Sequence, residues 1–397
     1  MLKGKTIILG VSGSIAAYKI ANLASSLKKQ GCDVHVVMTK NACHFITPTT
    51  FETLTGNKCL TDTFDRNFDF NVAHVALAQK SDLIMIAPAT ANIIAKLACG
   101  IADDMLTTTV LAARCPKLIS PAMNTAMYEN PVTNDNLKKL EGYGFEIIEP
   151  ATGMLACNEE GKGKMPEPEL LEKHIVKYLA MKKDMEGKKV LVTAGPTVEA
   201  IDPVRFITNH STGKMGYAIA RACMLRGADV TLVSGHTSVE PPLFVKVIDV
   251  TSADQMYDAV MQNFDDTDYV FKAAAVADYT PSVHYDEKVK KKDGDMAIEL
   301  HRTHDILGEL GKIKKSNQFI CGFSMETENM LDNSRKKMSK KNVDMMIANN
   351  LKVHDAGFGT DTNIVTVITP SGVEELPKMS KFEVANAIID RAINAGL

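Results

Sequence analysis

The stretch Thr6-Ile7-Ile8-Leu9-Gly10-Val11-Ser12-Gly13-Ser14 decides the fold. Thr6–Val11 predicts a short apolar strand, Gly13–Ser14 a turn, Ala16–Gln30 an amphipathic helix and Asp33–Met38 a second apolar strand. Two largely apolar strands joined by a helix make a βαβ unit with a buried parallel sheet. The pattern returns at Lys188–Thr193, Tyr217–Arg226 and Asp229–Val233. Gly4 matches Gly187 and Gly31 matches Gly227, offsets of 183 and 196, so the second copy carries 13 extra residues. They fall between the first strand and its helix, at the carboxyl edge where open α/β sheets bind ligands.

Further apolar strands are expected at Leu83–Ile86, Lys117–Ser120, Val245–Asp249, Tyr269–Ala273, Phe319–Phe323, Met345–Ala348 and Asn363–Ile368. Helices are expected between them at Ile93–Ala98, Ala253–Asn263 and Glu328–Lys340. This alternation predicts two doubly wound, Rossmann-like α/β domains. A charged helical stretch at Leu170–Met185 separates them, placing the junction at 181–187 between domains 1–180 and 188–397. A length of 397 residues agrees with two or three domains of about 150 residues.

Charge balance excludes several classes of partner. With 45 basic and 48 acidic residues the net charge is −3, so neither a nucleic acid nor an anionic membrane is called for. Apolar runs such as Leu83–Ala87 are far shorter than the roughly 20 residues a bilayer needs, and no charged-then-apolar leader opens the chain. A soluble cytoplasmic protein is expected. The 8 cysteines are scattered without a C-x-x-C pair, which indicates reduced thiols rather than a zinc clip or a disulfide framework.

Neither opening fits a nicotinamide dinucleotide. The first turn lacks G-x-G-x-x-G, and the second strands end in Thr39 and Ser234 where a ribose-binding carboxylate belongs. A Walker loop fails as well, because Met215 follows Gly213-Lys214 and Thr208 occupies the leading glycine position. A helix N-terminus with hydroxyls remains, a generic phosphate cradle that equally serves packing alone. Two further loops share its edge: Pro88-Ala89-Thr90-Ala91-Asn92 and Pro121-Ala122-Met123-Asn124-Thr125-Ala126-Met127-Tyr128. A glycine-rich polar loop, Gly153–Pro166, carries Cys157. Read alone, His74 in its apolar segment is a core histidine, Asn124 a helix cap and Met123 a packing residue.

These four segments resemble the flavin-dependent decarboxylases that act on 4'-phosphopantothenoylcysteine. The resemblance implies FMN, bound by Ser12, Gly13, Ser14, Thr39, Pro88, Ala89, Thr90 and Asn92. A flavin relieves the carbanion problem of losing carbon dioxide by first oxidising the cysteine thiol to a thioaldehyde. It further implies Cys157 as proton donor and clamp, Asn124 with Met123 against the departing carboxylate, and His74 as base or carboxylate partner. Tyr128 replaces the tryptophan usual at its position.

In the second half, the insertion and its flanks span Gly195–Gly216. Arg205 can fork onto a phosphate or carboxylate, Asn209 can donate to a carbonyl, and Ser211–Gly213 opens a helix whose N-terminus favours an anion. Ala273-Ala274-Ala275 lets a nucleotide approach the backbone, and Asp278 can accept from a base or ribose or hold a magnesium shell. The run Lys288–Lys292 reads by composition as a solvated surface. Lys337 and Lys341 share one helical face and can reach one triphosphate.

These segments are similar to phosphopantothenate–cysteine ligases, and the whole chain resembles the bifunctional family joining both activities. The resemblance implies that Arg205 and Asn209 bind 4'-phosphopantothenate and that Asn209 helps convert the acyl-nucleotide. It makes Lys288 the lysine that stabilises charge during activation. It assigns nucleotide contacts to Ala273, Ala274, Ala275, Asp278, Lys288, His304, Asp305, Ile306, Leu307, Phe323, Lys337 and Lys341. CTP is implied as the nucleotide, with Mg2+ and L-cysteine, and trimers and dimers combining into a homo-oligomer such as a dodecamer. His304 replaces a usual proline, and Ser324-Met325 two small residues. A non-catalytic nucleotide sensor and a nicotinamide oxidoreductase are the alternatives.

Overall fold

Buried apolar runs alternating with amphipathic segments build two parallel-sheet units, Met1–Met181 and Lys182–Leu397. The computed structural model describes residues 1–64, 73–154, 160–290, 296–326, 330–350 and 360–395.

The first unit runs β1 (Thr6–Val11), α1 (Ala17–Lys29), β2 (Asp33–Met38), α2 (Pro48–Thr55), α3 (Ala73–Lys80), β3 (Leu83–Ala89), α4 (Ala91–Ala98) and α5 (Met105–Ala112). It continues with β4 (Lys117–Pro121), α6 (Thr125–Glu129), α7 (Pro131–Gly142), β5 (Phe145–Ile147), β6 (Ala151–Met154), β7 (Glu160–Lys164) and α8 (Pro168–Leu179). The sheet order is β2-β1-β3-β4-β5, every pairing parallel. β1 is buried at all six positions because helices cover both faces. One face packs Ile7 and Leu9 against Ile20, Leu23 and Leu27 of α1, residues spaced to form one helical stripe. The other packs Ile8, Ile84 and Ile86 against Leu106 and Leu140. Chain order reverses between β1 and β3, which opens a crevice at their carboxyl ends.

The second unit runs β8 (Lys189–Ala194), β9 (Val198–Ala200), β10 (Phe206–Thr208), α9 (Lys214–Leu225), β11 (Asp229–Ser234), β12 (Lys246–Asp249), α10 (Ala253–Phe264), β13 (Tyr269–Lys272), β14 (Tyr279–Pro281) and β15 (Leu300–Arg302). It continues with α11 (Ile306–Ile313), β16 (Phe319–Glu326), α12 (Met330–Lys340), β17 (Met345–Asn350), β18 (Thr362–Asn363), β19 (Val365–Thr369), β20 (Gly372–Glu375), β21 (Met379–Ser380) and α13 (Lys381–Asn394). Its main sheet, β12-β11-β8-β13-β16-β17-β19-β20, is parallel up to β17.

The sheet of the second unit ends in antiparallel strands: β19 runs antiparallel to β17, and β20 to β19, where Thr369 pairs with Gly372 across a two-residue turn too short for a crossover. Two expectations are corrected here. The strand expected at Asn363–Ile368 breaks at Ile364, whose N–H donates to Asn363 Oδ1 (3.0 Å) instead of a ladder. The helix expected to reach Met185 stops at Leu179. Of the 181–187 junction, Met185 is fully buried and donates to Arg226 O (3.0 Å), and Asp184 accepts from the Arg226 guanidinium (2.8 Å), so this stretch is built into the second unit.

Candidate active sites

In the first unit the loops after β1, β3 and β4 meet at one sheet edge. Ser12, 1 % exposed, ties two of them: its hydroxyl donates to Pro88 O (2.7 Å) and accepts from Thr90 N–H (3.0 Å). Thr90 also caps α4 by accepting from Ile93 N–H (3.4 Å), with Asn92 exposed on the first turn. Pro88 and Ala89 are buried at the end of β3. α1 starts beside Gly13 and Ser14, where Ser14 takes up the leading amides: its Oγ accepts from Ala16 N–H (3.3 Å) and its carbonyl from Ala17 N–H (3.0 Å). Thr39 is half-buried and its carbonyl turns the chain by accepting from Ala42 N–H (3.0 Å). His74 is half-buried on α3.

Asn124 is a helix cap as its local sequence suggests: Oδ1 accepts from Ala126 N–H (2.9 Å) at the head of α6. The glycine-rich segment around Cys157 forms the β6–β7 hairpin, pressed onto this turn. Met123 N–H donates to Gly163 O (3.1 Å). A Cβ on Gly163 would stand 2.3 Å from Met123 O, and one on Gly161 2.3 Å from Thr125 Oγ1, so these glycines permit close approach. Cys157 itself, between β6 and β7, lies outside the described residues. Lys162 of β7 sits 5.8 Å over the Tyr128 ring, covering the residue that departs from the family pattern.

Two hydroxyls at this edge escaped sequence reasoning. Ser120 Oγ and Thr125 Oγ1 are buried and lack a hydrogen-bond partner among the described residues. Such atoms cost about 1–3 kcal/mol each unless a ligand completes them. Clustered hydroxyls and these two orphans fit a phosphorylated polar ring such as FMN.

In the second unit, a cleft of about 830 Å³ at the carboxyl edge collects Asn209, Ala273, Ala274, Ala275, Asp278, His304, Asp305, Ile306, Leu307, Phe323, Lys337 and Lys341. The 13-residue insertion forms the β9–β10 hairpin, with Arg205 at its turn. α9 then begins at Gly213, which holds φ at 73°, a left-handed conformation glycine adopts without strain. Asn209 Nδ2 donates to Ala275 O (3.3 Å) and Val276 O (3.0 Å), fixing its amide over the alanine loop. Thr303 N–H donates to Asp278 O (3.1 Å), while the Asp278 side chain is exposed at the rim. Ile306 and Leu307 belong to the apolar core, which leaves their backbone to serve the cleft. His304 stacks on Tyr257 with ring centroids 4.5 Å apart, an arrangement proline could not make. Ser324, at the other departure, is buried and accepts from Ser334 Oγ (3.2 Å).

Asp305 caps α11 through Gly308 N–H (3.0 Å) and pairs with Lys341 Nζ (2.8 Å). Burial would raise its carboxyl, but these bonds outweigh burial and hold it below the ordinary value. Arg205 and Lys288 stand apart from this cleft. Asp202 accepts from Arg205 Nε (2.9 Å) and from Val289 N–H (3.2 Å), and Arg205 Nη2 donates to Val289 O (2.8 Å). Arg205 thus grips the loop carrying Lys288, which is exposed. The guanidinium and surrounding N–H groups hold the Asp202 carboxyl well below the usual carboxylate range. Sequence reasoning missed Asp202, which joins its neighbours Val204 and Arg205 to Val289, 87 residues along the chain. Among the described residues no three His, Cys, Asp or Glu side chains cluster to hold a metal. No described helix is long and apolar enough to cross a membrane.

The flavoprotein family model matches residues 1–180, and the DNA/pantothenate metabolism flavoprotein C-terminal domain model matches residues 185–395. The chain is 49 % identical over 393 residues to the coenzyme A biosynthesis bifunctional protein CoaBC of Bacillus subtilis, covering 98 % of this chain and 97 % of that one. To its counterpart in Vibrio vulnificus (strain YJ016) it is 44 % identical over 390 residues, with the same coverage. The solved C-terminal domain of a coenzyme A biosynthesis bifunctional protein CoaBC is 45 % identical, covering 52 % of this chain and 94 % of that one at a TM-score of 0.45. The class is therefore a flavoprotein unit followed by a pantothenate-metabolism unit. The chain belongs to the bifunctional coenzyme A biosynthesis family.

Proposed function

We propose that the second unit joins cysteine to 4'-phosphopantothenate at the expense of CTP, and that the first decarboxylates the product to 4'-phosphopantetheine. The convergence of Asn209, the Ala273–Ala275 loop and paired lysines in one cleft carries this reading. A carboxylate is a poor acyl donor because oxide would have to leave. Its oxygen therefore attacks the α-phosphorus of CTP, releasing pyrophosphate and leaving an acyl-cytidylate. The cysteine amine then attacks the acyl carbon, CMP departs, and a proton is released.

Lys337 and Lys341 offset the triphosphate charge, and Lys288 stabilises charge at the reacting phosphate once its loop swings in. Arg205 positions that loop and takes the substrate's anionic end, while Asn209 Nδ2 exchanges its longer bond, to Ala275 O, for one to the acyl oxygen. Asp278 contacts the nucleotide. Magnesium enters with the triphosphate.

In the first unit, Ser12, Gly13, Ser14, Thr39, Pro88, Ala89, Thr90 and Asn92 hold FMN. When bound, FMN supplies a two-electron store that accepts electrons from the substrate thiol and later returns them. Asn124 Nδ2 orients the carboxylate beside Met123, His74 takes or holds a proton there, and Cys157 Sγ delivers the proton after carbon dioxide has left. The protein acts as a cytoplasmic homo-oligomer.

The test is pyrophosphate release from CTP that requires 4'-phosphopantothenate, together with a flavin absorption band in the purified full-length chain. Release from neither CTP nor ATP refutes the ligase, and a colourless protein that takes up no FMN refutes the decarboxylase.

A further inference from the structure

Lys272 closes β13, the strand beneath the alanine loop, and lines the cleft although only 8 % exposed. Its backbone is in register with Thr193 of β8 and Gly322 of β16, neither of which carries charge. The charged groups that face it are Asp305 at the head of α11 and Lys341 just beyond α12. Asp305 is already committed to Lys341 Nζ and Gly308 N–H. Among the described residues no carboxylate lies within ion-pair distance of Lys272 and no acceptor within hydrogen-bond distance. A buried ammonium without a counter-charge is costly, and proteins respond by neutralising it.

We propose that Lys272 is a phosphate-recognising residue of the nucleotide cleft, charged when the triphosphate is present, so that nucleotide binding takes up a proton. The inference rests on the ligase reading and adds to it a residue and a coupling. Burial first, and the neighbouring Lys341 charge second, pull Lys272 down to about 7. At pH 8 roughly a tenth of the side chains are then protonated without nucleotide. A phosphate oxygen supplies the missing counter-charge and acceptor, and the amine binds a proton from solvent. No covalent bond changes.

The experiment is calorimetric titration of the full-length chain with CTP and magnesium, in two buffers of different ionisation enthalpy, for wild type, K272M and K272Q. Wild type is expected to take up close to one proton more than either variant at pH 8, a difference that shrinks towards pH 6. Both variants are expected to bind CTP at least tenfold more weakly while the second unit unfolds in urea no earlier than in wild type, which shows that the unit carrying the substitution is folded. CTP affinity within about twofold of wild type in both variants overturns the proposal. Undiminished proton uptake also overturns it, by assigning the proton to another group such as His304. A wild-type chain that binds neither CTP nor ATP refutes the ligase reading and takes this inference with it.

Discussion

In the first unit the loop after β1 is short and neutral, and the Ser12 hydroxyl locks it to the loop after β3. In the second unit the matching loop is opened by a hairpin, and the cleft beside it is lined by Lys214, Lys272, Lys337, Lys341 and Lys381 against Asp278 and Asp305. The same strand, turn and helix thus lead to a hydroxyl-lined rim in one unit and a cationic trough in the other. Sheet topology sets where a ligand sits, and loop chemistry sets which ligand. A neutral rim suits a ring that stores electrons, whereas a trough of ammonium groups suits a polyanion whose charge must be offset before a carboxylate can approach.

The largest effects should separate the units cleanly. N209A is expected to lower the ligation rate by about 10²–10³, the usual cost of losing one donor to developing negative charge, and to leave decarboxylation of supplied substrate intact. C157S should do the reverse. Assays of each half-reaction check both, and a variant that silences both halves breaks the comparison.

D202N comes next. Losing the carboxylate frees Arg205 and the Val289 loop that brings Lys288, and ligation should fall roughly 10–100-fold while flavin binding is untouched. Because the Asp202 carboxyl is held below its ordinary range, its tie is complete above that range and fails only as pH drops beneath it. Steady-state rates and acid-induced loosening of the loop, followed by limited proteolysis, test this.

K272M should stabilise the second unit by about 2 kcal/mol at neutral pH and below. Lys272 is depressed to about 7, so the unfolded chain holds more protons between 7 and the ordinary lysine value. Wild-type stability therefore rises with pH through that window, and the advantage of K272M fades towards pH 10. Urea melts across the range measure the gap.

The smallest effect belongs to H304A, which removes the stack on Tyr257. A loss of about 1 kcal/mol is expected, seen as a few-fold rise in the CTP KM with little change in kcat.

β1 and β2 match their sequence-derived limits residue for residue; β1 is buried at every position, whereas β2 keeps Asp33 and His35 half-buried before the buried run Val36-Val37-Met38. The spacing of Lys337 and Lys341 likewise places both in the cleft. The short hairpins β6–β7 and β9–β10 bury too little to leave a periodic signal. Gly161 and Gly163, which look like loop punctuation, serve close packing against Thr125 and Met123. Lys272 reads as the end of an apolar strand, and its missing counter-charge exists only once α11 and α12 are folded over it. The tie from Asp202 to Val289 spans 87 residues and leaves no local trace.

The most direct measurement supplies the purified chain with 4'-phosphopantothenate, L-cysteine and CTP and follows the products by mass. Wild type should yield 4'-phosphopantetheine, and C157S should stop at 4'-phosphopantothenoylcysteine. If wild type forms no acylated cysteine, or if C157S yields 4'-phosphopantetheine as wild type does, the assignment of one step to each unit is contradicted.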